Sequence, residues 1–200
     1  MKKIIKHGLR RGLKLYLFQG FQKLRILQYR LLSENAPRQM HGRLKQPVLF
    51  CGAGTIHIGA SSIGVWPSPH FLNGYAHIEA RESTAEIRIG KGCHLNNNAV
   101  LIAERNRICI GDDTLIGHSF SAYDSDFHRL EAHLRSSGSH KGKDISIGNN
   151  VFIGADVTVL KGVTIGDNSV IANGSLVNRD IPPNVIAGGV PAKVLSPLPD

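Results

Sequence analysis

Between Ile147 and Pro182 the chain repeats itself every six residues. The units read IGNNVF, IGADVT, VLKGVT, IGDNSV, IANGSL and VNRDIP. Each opens on an aliphatic residue: Ile147, Ile153, Val159, Ile165, Ile171 and Val177. Four residues later stands a small or branched one: Val151, Val157, Val163, Ser169, Ser175 and Ile181. Just before these sit Asn150, Asp156, Gly162, Asn168, Gly174 and Asp180, residue types that tolerate a left-handed backbone or make tight turns. A fixed short period means one unit stacked on itself, and a period of six means a β-helix. Each unit is a short strand and a corner, and three units close one triangular coil. Stacked coils then pair as parallel strands about 4.8 Å apart, with the aliphatic column as the core. The stretch predicts two full coils.

The same rhythm is weaker upstream. Ile56, Ile58 and Ile63 carry it, residues 64–86 obscure it, and from Ile87 it returns through IGKGCH, LNNNAV, IGDDTL and IGHSFS. Phe120 and Ala122 stand at the edge of register. Residues 123–144, YDSDFHRLEAHLRSSGSHKGKD, have no inward aliphatic rhythm and contain His128, His133 and His140. They predict a loop extruded from one corner, and long loops on rigid scaffolds are where function concentrates. The β-helix is expected over 48–195, after an arm and polar linker at 1–47 and before a short tail at 196–200.

Charge divides the chain sharply. Residues 1–30 hold Lys2, Lys3, Lys6, Arg10, Arg11, Lys14, Lys23, Arg25 and Arg30 and no acid, so they account for the whole net charge of +9. Leu13, Leu17, Leu24, Leu27 and Leu31 recur at helical spacing with Tyr16, Phe18 and Phe21 between them. The arm therefore reads as a basic helix, suited either to an anionic membrane surface through residues 1–32 or to packing on the body or a neighbouring subunit. Its apolar runs are too short to span a bilayer. Lys14 interrupts the run a signal peptide would need, and no small-residue cleavage site follows. No nucleic-acid-reading motif accompanies the charge. Cys51, Cys93 and Cys109 have no zinc-like spacing and leave an odd count, which favours a reducing, cytoplasmic setting.

These repeats, the YDSDFH loop and the ending IPPNVIAGGVPAKVL resemble the hexapeptide-repeat O-acetyltransferases of the maltose, galactoside and nodulation-factor type, and within them the sugar acetyltransferases of surface-polysaccharide synthesis. The resemblance covers about residues 48–195, and Gly189-Val190-Pro191-Ala192-Lys193 is its most specific part. It implies an all-β fold, a left-handed parallel β-helix with an N-terminal helical arm and an extruded catalytic loop, an exception to the usual right-handed crossover. It also implies a homotrimer, acetyl-CoA as donor, a sugar or polysaccharide-precursor hydroxyl as acceptor, and active sites between subunits.

The resemblance places the general base at His128. The chemistry agrees, since a neutral imidazole of ordinary pKa near 6.5 can take a hydroxyl proton at neutral pH. Asp124 or Asp126 could hold its second ring nitrogen, and proximity favours Asp126. The alternative for His128 is a solvated loop residue, and His118 is the substitute base. His133 and His140 read as solvated. Asn96 matches the acceptor contact of the galactoside enzymes, although Asn also suits a corner, and His94 replaces an aromatic found in those relatives. Tyr123 and Asp124 are further acceptor candidates. For the donor, the resemblance carries over to Ala155 as a backbone contact near the thioester, Asn173 and Asn178 along the groove, and Lys193 as partner of the coenzyme phosphates. The first three also read as ordinary repeat filler. Cys93 falls on an inward position, where a thiol is inert, so direct transfer is expected in place of an acyl-enzyme. Trp66 and its insert either shape the pocket or cap a coil. Two rivals share the fold: a carbonic-anhydrase-like metal enzyme using His128 and His133, although no metal is expected here, and a non-catalytic trimeric scaffold docked through the basic arm.

Overall fold

The computed structural model describes residues 2–137 and 141–199, with the side chains of the leading helix from Leu17 onward. Helix α1 (Lys2–Leu32) leads into six stacked coils. The first three are β1 (Gln39–Met40), β2 (Arg43–Leu44), β3 (Val48–Cys51); β4 (Thr55–Ile58), β5 (Ser62–Ile63), β6 (Ala76–Ala80); and β7 (Glu86–Ile89), β8 (His94–Leu95), β9 (Val100–Ala103). The last three are β10 (Arg107–Ile110), β11 (Leu115–Ile116), β12 (Ser121–Tyr123); β13 (Ile145–Ile147), β14 (Phe152–Ile153), β15 (Thr158–Leu160); and β16 (Thr164–Ile165), β17 (Val170–Ile171), β18 (Leu176–Val177). Each coil gives one strand to each of three parallel faces: A through β1 and β4 to β16, B through β2 and β5 to β17, and C through β3 and β6 to β18. Strand β19 (Val185–Gly189) extends face B, and β20 (Ala192–Pro197) folds back antiparallel on it. The architecture is a left-handed parallel β-helix with one helical arm.

The six-residue period is realised in the register. Ile147 pairs with Ile165, Ile153 with Ile171, and Val159 with Val177, so successive coils are 18 residues apart. The inward column on face A runs Ile56, Ile87, Ile108, Ile145, all fully buried. Full burial of such a side chain stabilises by about 1.5–3 kcal/mol. The second inward set is buried as well, including Ser169 and Ser175, whose hydroxyls bond Pro182 O and Ala172 O. Asn150, Asp156, Gly162, Asn168 and Gly174 take positive φ at the corners. Asp180 is not among the positive-φ residues; its carboxylate accepts the Thr164 N–H at 2.7 Å. Asn150, Asn168 and Asn184 stack as a side-chain ladder, with bonds of 2.9 and 2.8 Å.

Three expectations need correction. The β-helix starts at Gln39, nine residues before Val48, because β1 and β2 already pair with β4 and β5. That coil lacks the inward rhythm because it is an end coil: Met40 is exposed, and pairing rests on backbone bonds such as Arg43 N–H to Ser61 O at 2.8 Å. Phe120 and Ala122 lie fully in register, both entirely buried. Trp66 forms part of a docking platform for the arm. The insert between β5 and β6 is held by Asn97, fully buried, which bonds both Val65 backbone groups and the Pro69 carbonyl. Phe18 packs on Trp66 and Phe71, with ring centroids 4.6 and 5.8 Å away. Gln22 and Arg25 donate to Phe71 O, each at 3.0 Å, and Arg25 also to Gly74 O at 2.6 Å. Burial in this seam pushes the Arg25 guanidinium below its ordinary pKa. The C-terminal half of the arm thus packs on the body. Leu17, Phe21, Leu24, Leu27 and Leu31 remain exposed.

Candidate active site

One long segment leaves the β-helix, between β12 on face C and β13 on face A. Its neck is closed by Asp124. That carboxylate is fully buried and accepts the N–H groups of Glu104 (2.8 Å), Arg105 (3.2 Å) and Asn106 (2.9 Å) from the corner one coil before, together with the Asn106 amide (3.3 Å). Its carbonyl accepts the N–H of Lys143 at 2.8 Å, tying the departing chain to the returning one. A Cβ at Gly142 would lie 2.1 Å from the Asn106 amide nitrogen and 2.7 Å from Asp124 O, so glycine is what lets the strands of the neck meet. Asp124 is therefore a structural clamp and does not face an acceptor as expected.

The next two side chains are ties as well. The Ser125 hydroxyl donates to the buried Glu104 at 2.7 Å. Asp126 pairs with Lys161 on the following coil, and the same ammonium reaches Lys141 O at 3.1 Å. The expected Asp126–His128 pair does not form, because Lys161 takes the carboxylate. His128 instead places Nδ1 3.1 Å from Arg135 O. A carbonyl can only accept, so Nδ1 carries the proton and Nε2 bears the lone pair. The ring is exposed beside a cavity of about 340 Å3 lined by Asp126, His128, Arg129, Leu130, Glu131, Lys141 and Lys161. His133 is exposed in a 3-10 turn, and His140 lies outside the described residues.

Tyr123 is half-buried at the end of β12, its ring 5.9 Å from Phe127 and nearly perpendicular to it. Beside it on face C stands a polar wall that the repeat pattern did not single out. Glu79 accepts from Arg81 at 2.7 Å and is 3.0 Å from His77, and Arg81 also lies 4.0 Å from Glu104. Burial works to raise the Glu79 pKa, but hydrogen bonds and charge from Arg81 and His77 outweigh it and hold the carboxyl below its ordinary value. The hydrogen bond to Glu79 raises Arg81 in turn. The signal lay in charged residues at outward strand positions, where solvated residues are equally at home.

The remaining candidates fall on two corners. Asn96, His118, Ala155 and Asn173 occupy the corner between faces B and C on four successive coils. Asn96 Oδ1 accepts the Asn97 N–H at 2.7 Å, a turn role. His118 lies 3.4 Å from the Ser119 hydroxyl. The Ala155 N–H donates to Asn173 Oδ1 at 2.9 Å and its carbonyl accepts the Gly174 N–H at 2.8 Å, so the expected backbone contact would compete with these bonds. Asn178 is exposed beyond β18, on the corner shared with His128, and Lys193 is exposed on β20. Within one chain, face C separates His128 from Asn96, Ala155 and Asn173. Cys93 is fully buried, and burial pushes its thiol up. Among the described residues no group of three His, Cys, Asp or Glu is placed to hold a metal.

Residues 144–179 match the bacterial transferase hexapeptide model of six repeats. The chain is 41% identical over 116 residues to a galactoside O-acetyltransferase of Escherichia coli (strain K12), covering 58% of this chain and 56% of that one. It is 39% identical to a hexapeptide-repeat acetyltransferase from Vibrio cholerae solved with acetyl coenzyme A, over 58% of this chain and 62% of that one, with a TM-score of 0.53. A galactoside acetyltransferase solved with coenzyme A is 28% identical, with 90% and 83% of the two chains covered and a TM-score of 0.54. The chain spans little more than half the length of the curated relatives it matches. By its repeats, its register and these likenesses, the chain carries a hexapeptide repeat over residues 144–179 and is similar over more than half of its length to acetyltransferases of the hexapeptide-repeat type.

Proposed function

We propose that this protein moves the acetyl group of acetyl-CoA to a hydroxyl of a sugar or surface-polysaccharide precursor, with His128 as general base. The carrying observation is the imidazole itself. On a loop whose neighbouring polar side chains are committed to ties, His128 keeps Nε2 outward while Nδ1 is held by Arg135 O. Nε2 takes the acceptor proton as the oxygen attacks the thioester carbonyl. The tetrahedral intermediate then collapses, breaking the C–S bond, and the thiolate leaves as the thiol with the proton returned from the imidazolium. The ring needs no carboxylate partner, because a backbone carbonyl fixes its tautomer.

The corner geometry supports a homotrimer with sites between subunits. The donor candidates Ala155 and Asn173 share one corner with the acceptor candidate Asn96, whereas His128 projects from another with Asn178 beside it, so bringing all of them into one site takes two copies. The outer faces agree. Face A carries the ion pairs Glu86–Arg88 and Arg107–Asp144, while face B exposes Leu115 and Phe152 in one column. Lys193 would meet the coenzyme phosphates. The arm supports peripheral contact with an anionic membrane from a cytoplasmic side. Its exposed leucines accompany nine bases and no acid within residues 1–30, and such helices would repel one another if they packed together. No described helix is long and apolar enough to cross a membrane.

The test is coenzyme A release from acetyl-CoA with free sugars, sugar phosphates and lipid-linked sugars, for wild type and His128→Ala. Acceptor-dependent release that falls about 10²–10⁴-fold in the variant is expected. Equal rates would remove His128 from its role, and absence of coenzyme binding by calorimetry would sink the transferase reading.

A further inference from the structure

A buried carboxylate beneath the loop has no part in the transfer chemistry. Glu104, 6% exposed, follows β9 directly. It accepts the Ser125 hydroxyl at 2.7 Å, and Ser125 Oγ, on a residue also 6% exposed, accepts the N–H of Phe127 at 2.9 Å. Phe127 has φ of 58°, the left-handed region, where a bulky side chain is strained and persists only if its surroundings hold it. They do so on several sides. The Arg81 guanidinium lies 4.9 Å from the ring centroid, Tyr123 meets the ring nearly edge-on, and Glu79 fixes Arg81. His128 is the next residue. A left-handed residue turns the chain sharply, so the conformation at Phe127 decides where the imidazole emerges.

We propose that Ser125 and Glu104 are positioning residues: together they lock Phe127 left-handed and thereby aim His128 Nε2 at the acceptor oxygen. This rests on His128 being the base. Without the tie Phe127 relaxes toward negative φ and the ring shifts. A displacement of about 1 Å in a reacting group can cost around 10²-fold in rate. The donor candidates Ala155 and Asn173 lie on a different corner and are untouched.

The test is a double-mutant cycle on the full-length protein, with kcat and the acetyl-CoA KM as readouts. Ser125→Ala is expected to lower kcat about 10–100-fold with KM held within about twofold. Glu104→Asp, which draws the carboxylate back by one methylene, is a gentler variant should Ser125→Ala fold poorly, and is expected to fall in the same way. Glu104→Gln, which keeps an oxygen acceptor, is expected to recover most of that loss. On a His128→Ala background, Ser125→Ala should have no further effect, because a misplaced base that is already absent costs nothing. An equal loss on both backgrounds would make the tie a matter of general stability and overturn the proposal. Wild-type kcat in Ser125→Ala with a slow His128→Ala would overturn it while leaving the base in place. A His128→Ala protein as fast as wild type would overturn both readings.

Discussion

Asp124→Asn should strike the loop at its root. The native carboxylate gives Oδ1 to the Glu104 N–H and Oδ2 to the N–H groups of Arg105 and Asn106, at 2.8, 3.2 and 2.9 Å, from a fully buried position. A carboxamide keeps one acceptor oxygen. With that oxygen in the Oδ2 place it still serves Arg105 and Asn106, and the amide nitrogen then faces the buried Glu104 N–H and leaves it unpaired. A buried unsatisfied donor costs about 1–3 kcal/mol, which is the loss expected here. The assay is urea unfolding at fixed protein concentration, where the midpoint should fall with little change in slope. The loop hinges here, so kcat should fall as well even where the protein is fully folded. A midpoint shift worth less than about 0.5 kcal/mol would refute the clamp, since that is the scale of ordinary surface changes.

Further outcomes follow from the same structure. Lys193→Ala should raise the acetyl-CoA KM about three- to tenfold with kcat unchanged, the pattern of a lost phosphate contact, and an unchanged KM would remove Lys193 from the donor site. Glu79 and Asp144 have carboxyls held below their ordinary values of 4.5 and 3.8; burial opposes this in each, and the hydrogen bonds from Arg81 with His77, and from Arg107, outweigh it. At acid pH the native state therefore binds fewer protons than the unfolded chain. Their stabilisation is present above the ordinary values and is lost as pH falls through the native ones, so urea midpoints should drop as pH falls below about 5, less steeply in Glu79→Gln. The full chain should sediment with vesicles containing anionic lipid, less so at high salt and less in Leu24→Glu. Equal binding to neutral vesicles would count against the arm as an anionic-surface anchor.

The β-helix was legible because its rule is local. Inward residues need only be aliphatic and corner residues need only tolerate left-handed φ, and both requirements recur at fixed spacing from Ile147 to Val177. The rule fails where a coil has a neighbour on one side only. Residues 39–44 pair through backbone groups, and within them Leu44 alone packs on the core, so no inward repeat marks them. Nor could Asn97 be told from Asn96 and Asn98 by type. What separates it is full burial under the insert, where its amide bonds both Val65 backbone groups and the Pro69 carbonyl.

The site was legible as a loop and a histidine, but its partners were not. Sequence order puts Asp124 and Asp126 close to His128 along the chain and suggests a carboxylate for the ring. In a loop leaving a corner, however, consecutive side chains point in different directions. Asp124 turns down to the preceding coil, Ser125 inward to Glu104, and Asp126 across to Lys161 on the following coil. Each partner is 18 or more residues away in sequence, and none is marked by the repeat. Unpaired on an exposed loop, any of these acids could compete for the imidazole proton; paired within the scaffold, they stiffen the loop and leave the ring to a neutral carbonyl. A backbone carbonyl holds the tautomer at Nδ1 without a carboxylate and leaves the lone pair on Nε2.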